Sequence, residues 1–439
     1  GGRMLRRSLT LGITTTVLAL VGACTAGTSD DGVFSSGSQG TGGGSEGGAS
    51  STGTEATTTT SSGFEVGVGG SSGVPGCDSG PDEDKDEDGY TVTQGDCNDC
   101  DPNVNPGAVE VPTPTEGEGG GDAAPEPADE NCDGQIDEAP TACDDALAID
   151  SMDPNDAARA VGLCKFSSGP GDWGVTNAKW VMVNGADPPT GATQLANFHR
   201  GHGVLTGFGP NVMVREGSKM LAVSSGAARQ PSDPGYASPS GFSKGYTSGH
   251  PDGFPKESPS CPNVTTGTPN DGTAVEITVR KPSNAKGFSF DFDFYTYEWP
   301  VYVCSQFNDF FVAILSPIPA GQTDGNISFD QLGNPVSVNN AFVQVCGCSG
   351  GPPCTAGGKS FACALGNAEL TGTGFEGHAA TSWLQTQAPI PDDVAEITIR
   401  WGTYDSGDGI LDSTTLVDNW RWVAEPGTTV GTVPLPPPQ

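Results

Sequence analysis

The stretch "AVEITVRKPSNAKGFSFDFDFYTY", residues 274 to 297, decides the fold class of this chain. Val275, Ile277 and Val279 fall on one face of its first half, and Phe288, Phe290, Phe292 and Phe294 alternate with Ser289, Asp291 and Asp293 in its second. A period of two is the mark of a strand with one buried face. On that reading Asp291 and Asp293 look toward solvent or a groove. "NDFFVAILSP", "AFVQVC", "VAEITIRW" and "LVDNWRWV" add further strands, and "AKWVMV" and "SKMLAVSS" open the domain. Helical periodicity is confined to "CDDALAID" and "DPNDAARAVGLC". Many short strands, turn-rich connections and no alternation of strand with helix predict a mainly β chain, an antiparallel, jelly-roll-like β-sandwich over residues 141–425. One internal echo stands out: "AVEITVRKPSNAKGFSFDF" and "VAEITIRWGTYDSGDGILD" both set an acidic residue among apolar ones, then Arg, then a polar turn. Equivalent strands facing each other across the sandwich would explain it, and so would chance.

Outside that domain the text is of another kind. The chain has 439 residues, 66 Gly, 36 Pro and a formal net charge of -35, which excludes nucleic acid as a partner because phosphate would be repelled. "RMLRRSLTLGITTTVLALVGAC" (3–24) joins Arg3, Arg6 and Arg7 to a short apolar run and small residues, the layout of an export signal. Its end, "LVGAC", resembles the lipobox of bacterial lipoproteins. The resemblance implies a signal peptide over 1–24, lipidation of Cys24, and anchoring to the outer membrane or cell surface. Residues 25–76, nearly all Gly, Ser, Thr and Ala, cannot bury enough apolar surface to offset ordering entropy and are expected to be a disordered stalk. The same composition marks an insertion over 112–128 and a tail over 426–439, both expected to be disordered.

Export makes the other cysteines legible. Of 13, Cys24 set aside leaves twelve, an even number in an oxidising compartment. Cys77, Cys97, Cys100 and Cys132 form one group, Cys143 with Cys164 and Cys261 with Cys304 two pairs, and Cys346, Cys348, Cys354 and Cys363 a late group. Six local disulfides follow, with connectivity open inside each group of four.

The segment 77–140 is dense in carboxylates, with Lys85 its one basic residue. Ca²⁺ takes six to eight oxygen ligands and needs a Gly where the chain turns sharply around it. "DKDEDGY" supplies Asp84, Asp86 and Asp88 at positions one, three and five, Gly89 at six and the Tyr90 carbonyl at seven. "DENCDGQIDE" repeats the spacing with Asp129, Asn131, Asp133, Gly134 and Asp137. Neither loop has a Glu at position twelve; Asp96, Asp99, Asp101 and Glu110, between the loops, are the candidates to supply the missing carboxylate, and the first loop is expected to bind only together with the second. An acidic disordered spacer is the competing reading. "DEDGYTVTQGDCNDCDPNVNPGAVE" followed by "DENCDGQIDE" resembles the MopE-type metal-binding motif over residues 82–138, departing from it at the Gly/Pro/Glu insertion and at Cys100. With no His in the segment, Ca²⁺ is the expected ion rather than copper.

Residues 175–423 are similar to the choice-of-anchor L domain of bacterial surface proteins, on "HGVLTGFGPNV", "SKMLAVSSGAARQPSDPGY", "FSFDFDFYTYEWPVYVCSQFNDFFVAILSP" and "DSGDGILDSTTLVDNWRW". That resemblance implies a surface-anchored β-sandwich without an assigned reaction. Catalytic signals are sparse. His199 and His202 lie in a Gly-rich loop without the Glu of a zinc-protease helix, and no nucleophile elbow is present. Asp291, Asp293, Glu298 and Asp309 are the carboxylates a glycosidase would draw on. Asp405, Asp408 and Asp412, around Gly turns, are candidates for a second Ca²⁺. Tyr295, Tyr297, Trp299, Trp420 and Trp422 are candidates for a sugar-stacking platform, against core filling. The sequence reads as a lipid-anchored, non-enzymatic surface protein with a Ca²⁺ module and a sandwich that binds an extracellular glycan or protein. A secreted polysaccharide hydrolase and a metal-sequestering protein are the alternatives.

Overall fold

The two halves of the 274–297 stretch are strands that end up in different sheets. In the computed structural model, which describes residues 77–112, 127–264, 266–340 and 342–436, all described residues belong to one unit, Gly67–Gln439. The signal segment, Cys24, the stalk and residues 113–126 of the insertion lie outside them. In chain order the strands are β1 (Gly174–Val181), β2 (His202–Leu205), β3 (Met220–Ser224), β4 (Pro269–Arg280) and β5 (Gly287–Thr296). Then come β6 (Phe310–Ser316), β7 (Val345–Cys346), β8 (Cys354–Ala356), β9 (Lys359–Phe361) and β10 (Ala379–Ala380). β11 (Leu384–Pro389), β12 (Glu396–Ser406), β13 (Ser413–Val423) and β14 (Gly431–Pro434) complete the set.

One sheet has the order β1-β4-β12-β6; the other runs β14-β11-β5-β13-β3-β2, with β10 on β5 and β7 on β10. Every pairing between these strands is antiparallel. The expected sandwich is therefore the fold. Its core lies between the sheets, where Phe288, Phe290, Phe292 and Phe294 of β5 meet Val275, Ile277, Val279, Phe311, Ala313, Leu315, Ile399 and Trp401.

The other face of β5 is not open to water. A second apolar layer, including Leu205, Phe208, Val212, Leu370, Phe375 and Trp383, covers it, so all ten residues of β5 are buried. Asp291 and Asp293 are 0% exposed, which corrects their expected place toward solvent. Period two gives the faces of a strand but not what long connections later lay across them.

The echo also has a different cause from the one expected. β4 and β12 are neighbours in one sheet, with Glu276 opposite Arg400 and Arg280 opposite Glu396. An acid and an Arg four residues apart, paired antiparallel with a copy of the same pattern, give two opposite-charge cross-strand pairs. Glu276 receives Arg400 Nε at 2.9 Å and Lys179 Nζ at 2.8 Å.

Helix is scarce, as read. α1 (Pro154–Ala160) starts at Asp153, whose carboxylate accepts the Asn155 N–H at 2.9 Å, with Pro154 in the first turn. "CDDALAID" forms turns rather than a helix, and α2 (Ala192–Phe198) went unread because its seven residues bury only Phe198. The tail expected to be disordered from residue 426 instead carries β14, hydrogen-bonded along the edge of β11.

All six disulfides form: Cys77–Cys100, Cys97–Cys132, Cys143–Cys164, Cys261–Cys304, Cys346–Cys363 and Cys348–Cys354. The acidic module is clasped to the β4–β5 turn. Asn284 accepts the Val109 N–H at 3.1 Å and donates to the Val109 carbonyl at 2.8 Å, and Ser283 N–H donates to Gly107 O at 3.0 Å.

Candidate functional site

Five carboxylates of the first acidic loop share one arrangement. Each commits one oxygen to a backbone N–H: Asp84 to Gly89 (3.1 Å), Asp86 to Asp88 (3.2 Å), Asp88 to Tyr90 (2.7 Å), Asp96 to Asn98 (2.8 Å) and Asp99 to Lys85 (3.0 Å). The other oxygen of each is shielded from water and makes no well-formed hydrogen bond, with the Asn105 side chain near Asp88. Ligand oxygens of Asp84, Asp86 and Asp99 lie within 4.8 Å of one another, as do those of Asp86, Asp88 and Asp96. The two triads share Asp86. Gly89, at φ +99°, makes the turn that brings position one back onto the loop. Lys85, the nearest cation in sequence, points away and donates to the Asp78 carbonyl.

Crowded acids resist ionising together. Burial, aided by the charges of Asp88 and Asp86, pushes Asp96 up to about 6, and burial followed by Asp88 raises Asp86. A divalent cation removes both penalties, and the oxygen-only donor set is that of a hard ion.

The second loop repeats the turn but not the convergence. Asp129 accepts Gly134 N–H at 2.9 Å, Asn131 Oδ1 accepts Asp133 N–H at 2.9 Å and Asp133 accepts Gln135 N–H at 2.8 Å, matching the first loop position for position. Asp129 gives its second oxygen to Asp133 N–H, and Asp133 its second to the Gln135 side chain. Glu110 accepts the N–H groups of Asn131 and Asp137, and Asp101 accepts those of Asn103. Among the described residues none of Asp101, Glu110, Asp129, Asp133 and Asp137 joins a converging carboxylate triad. The converging carboxylates are therefore those of the first loop with Asp96 and Asp99. The second loop braces them through Cys97–Cys132 and the Asn105 N–H to Glu130 O bond of 2.9 Å.

The sandwich carboxylates separate into two groups. Asp291 is paired with Arg215 at 3.1 Å, Asn419 at 2.8 Å and Gln385 at 3.1 Å. Asp293 accepts Tyr295 OH at 2.8 Å and Thr381 Oγ1 at 3.2 Å, and burial with the charge of Glu369 holds its carboxyl well above the usual range. Neither is presented to solvent. Glu298 and Asp309, which reading along the chain placed with them, instead converge with Asp405. His199 and His202 hydrogen-bond each other at 2.9 Å, and His202, stacked on Trp180, is 0% exposed. No converging group among the described residues contains a histidine.

Between the acidic module and the sandwich lies a cleft of about 810 Å³. Val109, Glu110, Asn131 and Glu138 form one wall; Lys165, Trp173, Arg421 and Trp422 form the other. Trp173 and Trp422 are half-buried and meet edge to face at 6.5 Å, with Lys165 Nζ 4.4 Å from the Trp173 ring centre. Of the aromatic residues expected as a platform, Tyr295 and Trp299 are core, Tyr297 is stacked on His378, and Trp420, itself almost wholly buried, and Trp422 line this cleft. Trp173 was not singled out, since it stands alone in "GDWGV" with no pattern around it.

No family model and no curated protein matches the chain. Among solved structures it is similar to the carbohydrate-binding module TmCBM61 in complex with β-1,4-galactotriose, at 8% identity over 57% of this chain and 90% of that one. The TM-score is 0.21, so the likeness carries no argument about what this chain binds. No helix among the described residues is long and apolar enough to cross a membrane.

Proposed function

We propose that this is an exported, lipid-anchored surface protein that recognises an extracellular glycan, with Ca²⁺ holding the acidic module that forms one wall of the binding cleft. The cleft is the observation that carries the reading. Trp173 and Trp422, both half-buried, give the cleft apolar surface for the C–H side of a sugar ring, and Glu138, Lys165 and Arg421 around them bring polar groups for its hydroxyls. A pocket that is mostly apolar with a few placed polar groups is the usual form of a small-ligand site. The five shielded carboxylate oxygens of the first loop support the Ca²⁺ part, as does the resemblance of residues 82–138 to the MopE-type motif. Asp291 and Asp293 are consumed by hydrogen bonds inside the fold, so recognition without hydrolysis is the reading preferred over a hydrolase.

The test is a panel of polysaccharides offered to the purified protein, alone and as the Trp173→Ala/Trp422→Ala variant. Binding that the variant weakens at least tenfold, with no new reducing ends, supports the reading. Release of product would make the protein an enzyme. Binding to a peptide or protein but to no polysaccharide would overturn the glycan part.

A further inference from the structure

We infer that one end of the sandwich holds a divalent cation of its own, of the Ca²⁺ class, on Glu298, Asp309 and Asp405, with Asp412 beside them. One oxygen from each of the first three lies within 4.8 Å of the other two. The residues come as two pairs about a hundred positions apart in sequence. Glu298 follows β5, Asp309 precedes β6, Asp405 is near the end of β12 and Asp412 immediately precedes β13. The group therefore sits where two strands of each sheet finish, and an ion there would tie the sheets together.

Burial separates this group from an ordinary acidic surface. Asp309 and Asp405 are 0% exposed, Glu298 1% and Asp412 2%. Glu298 Oε2, Asp405 Oδ1 and Asp412 Oδ2 make no hydrogen bond, and Asp309, with both oxygens shielded from water, has only the Ser413 hydroxyl, the Asp405 carboxyl and the Ser406 N–H near it. One neutral oxygen adjoining the cluster in sequence, Asn308 Oδ1, is also buried and unpartnered. None of the four carboxylates takes part in an ion pair among the described residues. Buried charges are paired or bind metal; here the three converging carboxylates of Glu298, Asp309 and Asp405 have no cationic side chain in an ion pair with them among the described residues. Several carboxylate oxygens in a closed space suit Ca²⁺, whereas Mg²⁺ keeps several of its waters. The one turn among these residues that leaves β12, Gly407 to Ile410, is fixed by Asp405 Oδ2 accepting the Ile410 N–H at 3.0 Å, which leaves Oδ1 for the ion.

This site is independent of the acidic module, and the experiment separates them. Bound calcium per chain, by elemental analysis after dialysis, and melting temperature with Ca²⁺ or chelator are measured on the full chain. The variants are Asp86→Asn/Asp96→Asn in the module, Asp309→Asn/Asp405→Asn in the sandwich, and Glu298→Gln. The module variant is expected to keep one calcium, and chelator should still lower its melting temperature by about 5 °C or more, since a ligand bound only by the folded state stabilises it. The sandwich variant should lose one equivalent and, relative to the unsubstituted chain, much of the response to chelator. Glu298→Gln, a milder change that guards against misfolding of the double variant, should weaken the retained calcium about tenfold. The inference is overturned if the module variant holds no calcium and melts alike in both conditions. It is equally overturned if the sandwich variant keeps every equivalent and melts higher than the parent, the behaviour of acids that share protons and are relieved by substitution.

Discussion

Asp418 sits where β13 bulges, and its carboxylate accepts the N–H groups of Arg215 at 2.6 Å, Asn419 at 2.7 Å and Glu216 at 3.3 Å while being 1% exposed. Burial outweighs these bonds and pushes the group up to about 7. A carboxyl whose folded value lies above its unfolded value near 3.9 contributes stability that is complete below about pH 4 and lost as pH rises through about 7. Asp418→Asn cannot ionise, and it gives up one acceptor. The variant is therefore expected to be the less stable chain at pH 5, with the gap narrowing by more than about 1 kcal/mol or reversing at pH 8, as read by urea unfolding at both values. The bulge itself explains a break in the sequence pattern: it lets Val417 and Trp420, three residues apart, both face the core. At this scale alternation identified the four Phe of β5 without help, because a strand's own faces are a local property. It could not pair Glu298 and Asp309 with Asp405, because that meeting depends on how strands a hundred residues apart end.

Strands were the most legible elements, and β5 shows why. It lies between β11 and β13 and packs Phe residues into the main core on one side and Tyr295 into the second layer on the other. Phe292→Ala should cost about 3 to 5 kcal/mol by the loss of its buried area and the void left behind, measured by denaturant unfolding. The last strand shows the converse. "GTVPLP" reads as a polar, Pro-rich tail, and only the free edge of β11 makes Gly431–Pro434 a strand. A chain ending at residue 430 should expose that edge, and we expect concentration-dependent self-association of the truncated protein by light scattering where the full chain stays unassociated. The Glu-Ile-Thr-x-Arg echo lies between these cases. Its presence was visible in the text, but adjacency in one sheet follows from the antiparallel match of charge, which becomes apparent only once β4 and β12 are in register.

Across the whole molecule the module and the sandwich behave as parts of one unit. Asn284, 1% exposed, makes both bonds to Val109, so Asn284→Ala should destabilise the chain by about 1 to 3 kcal/mol, with faster amide exchange in residues 84–111 than in the sandwich core. Cys97 lies between Asp96 and Asp99, and its bridge to Cys132 spans 35 residues. Cys97→Ala/Cys132→Ala is accordingly expected to cost about 2 to 5 kcal/mol and to weaken calcium binding by the module, measured by titration calorimetry. Grouping the cysteines along the chain anticipated each cluster of bridges. Which sulfur meets which inside a group of four was not legible, since spacing along the chain allows three pairings of four cysteines and only the closing of the loops selects one.

The order of those bridges also sets how the molecule carries tension. A pull arriving from the N-terminal side of Cys77 crosses to Cys100, runs back along residues 97–100, crosses to Cys132 and crosses again from Cys143 to Cys164 before it reaches β1. Residues 78–96 hang beside that covalent route as an unloaded loop. Under such a pull Asp84, Asp86, Asp88 and Asp96 would keep their geometry, while Asp99, within 97–100, lies on the loaded route itself.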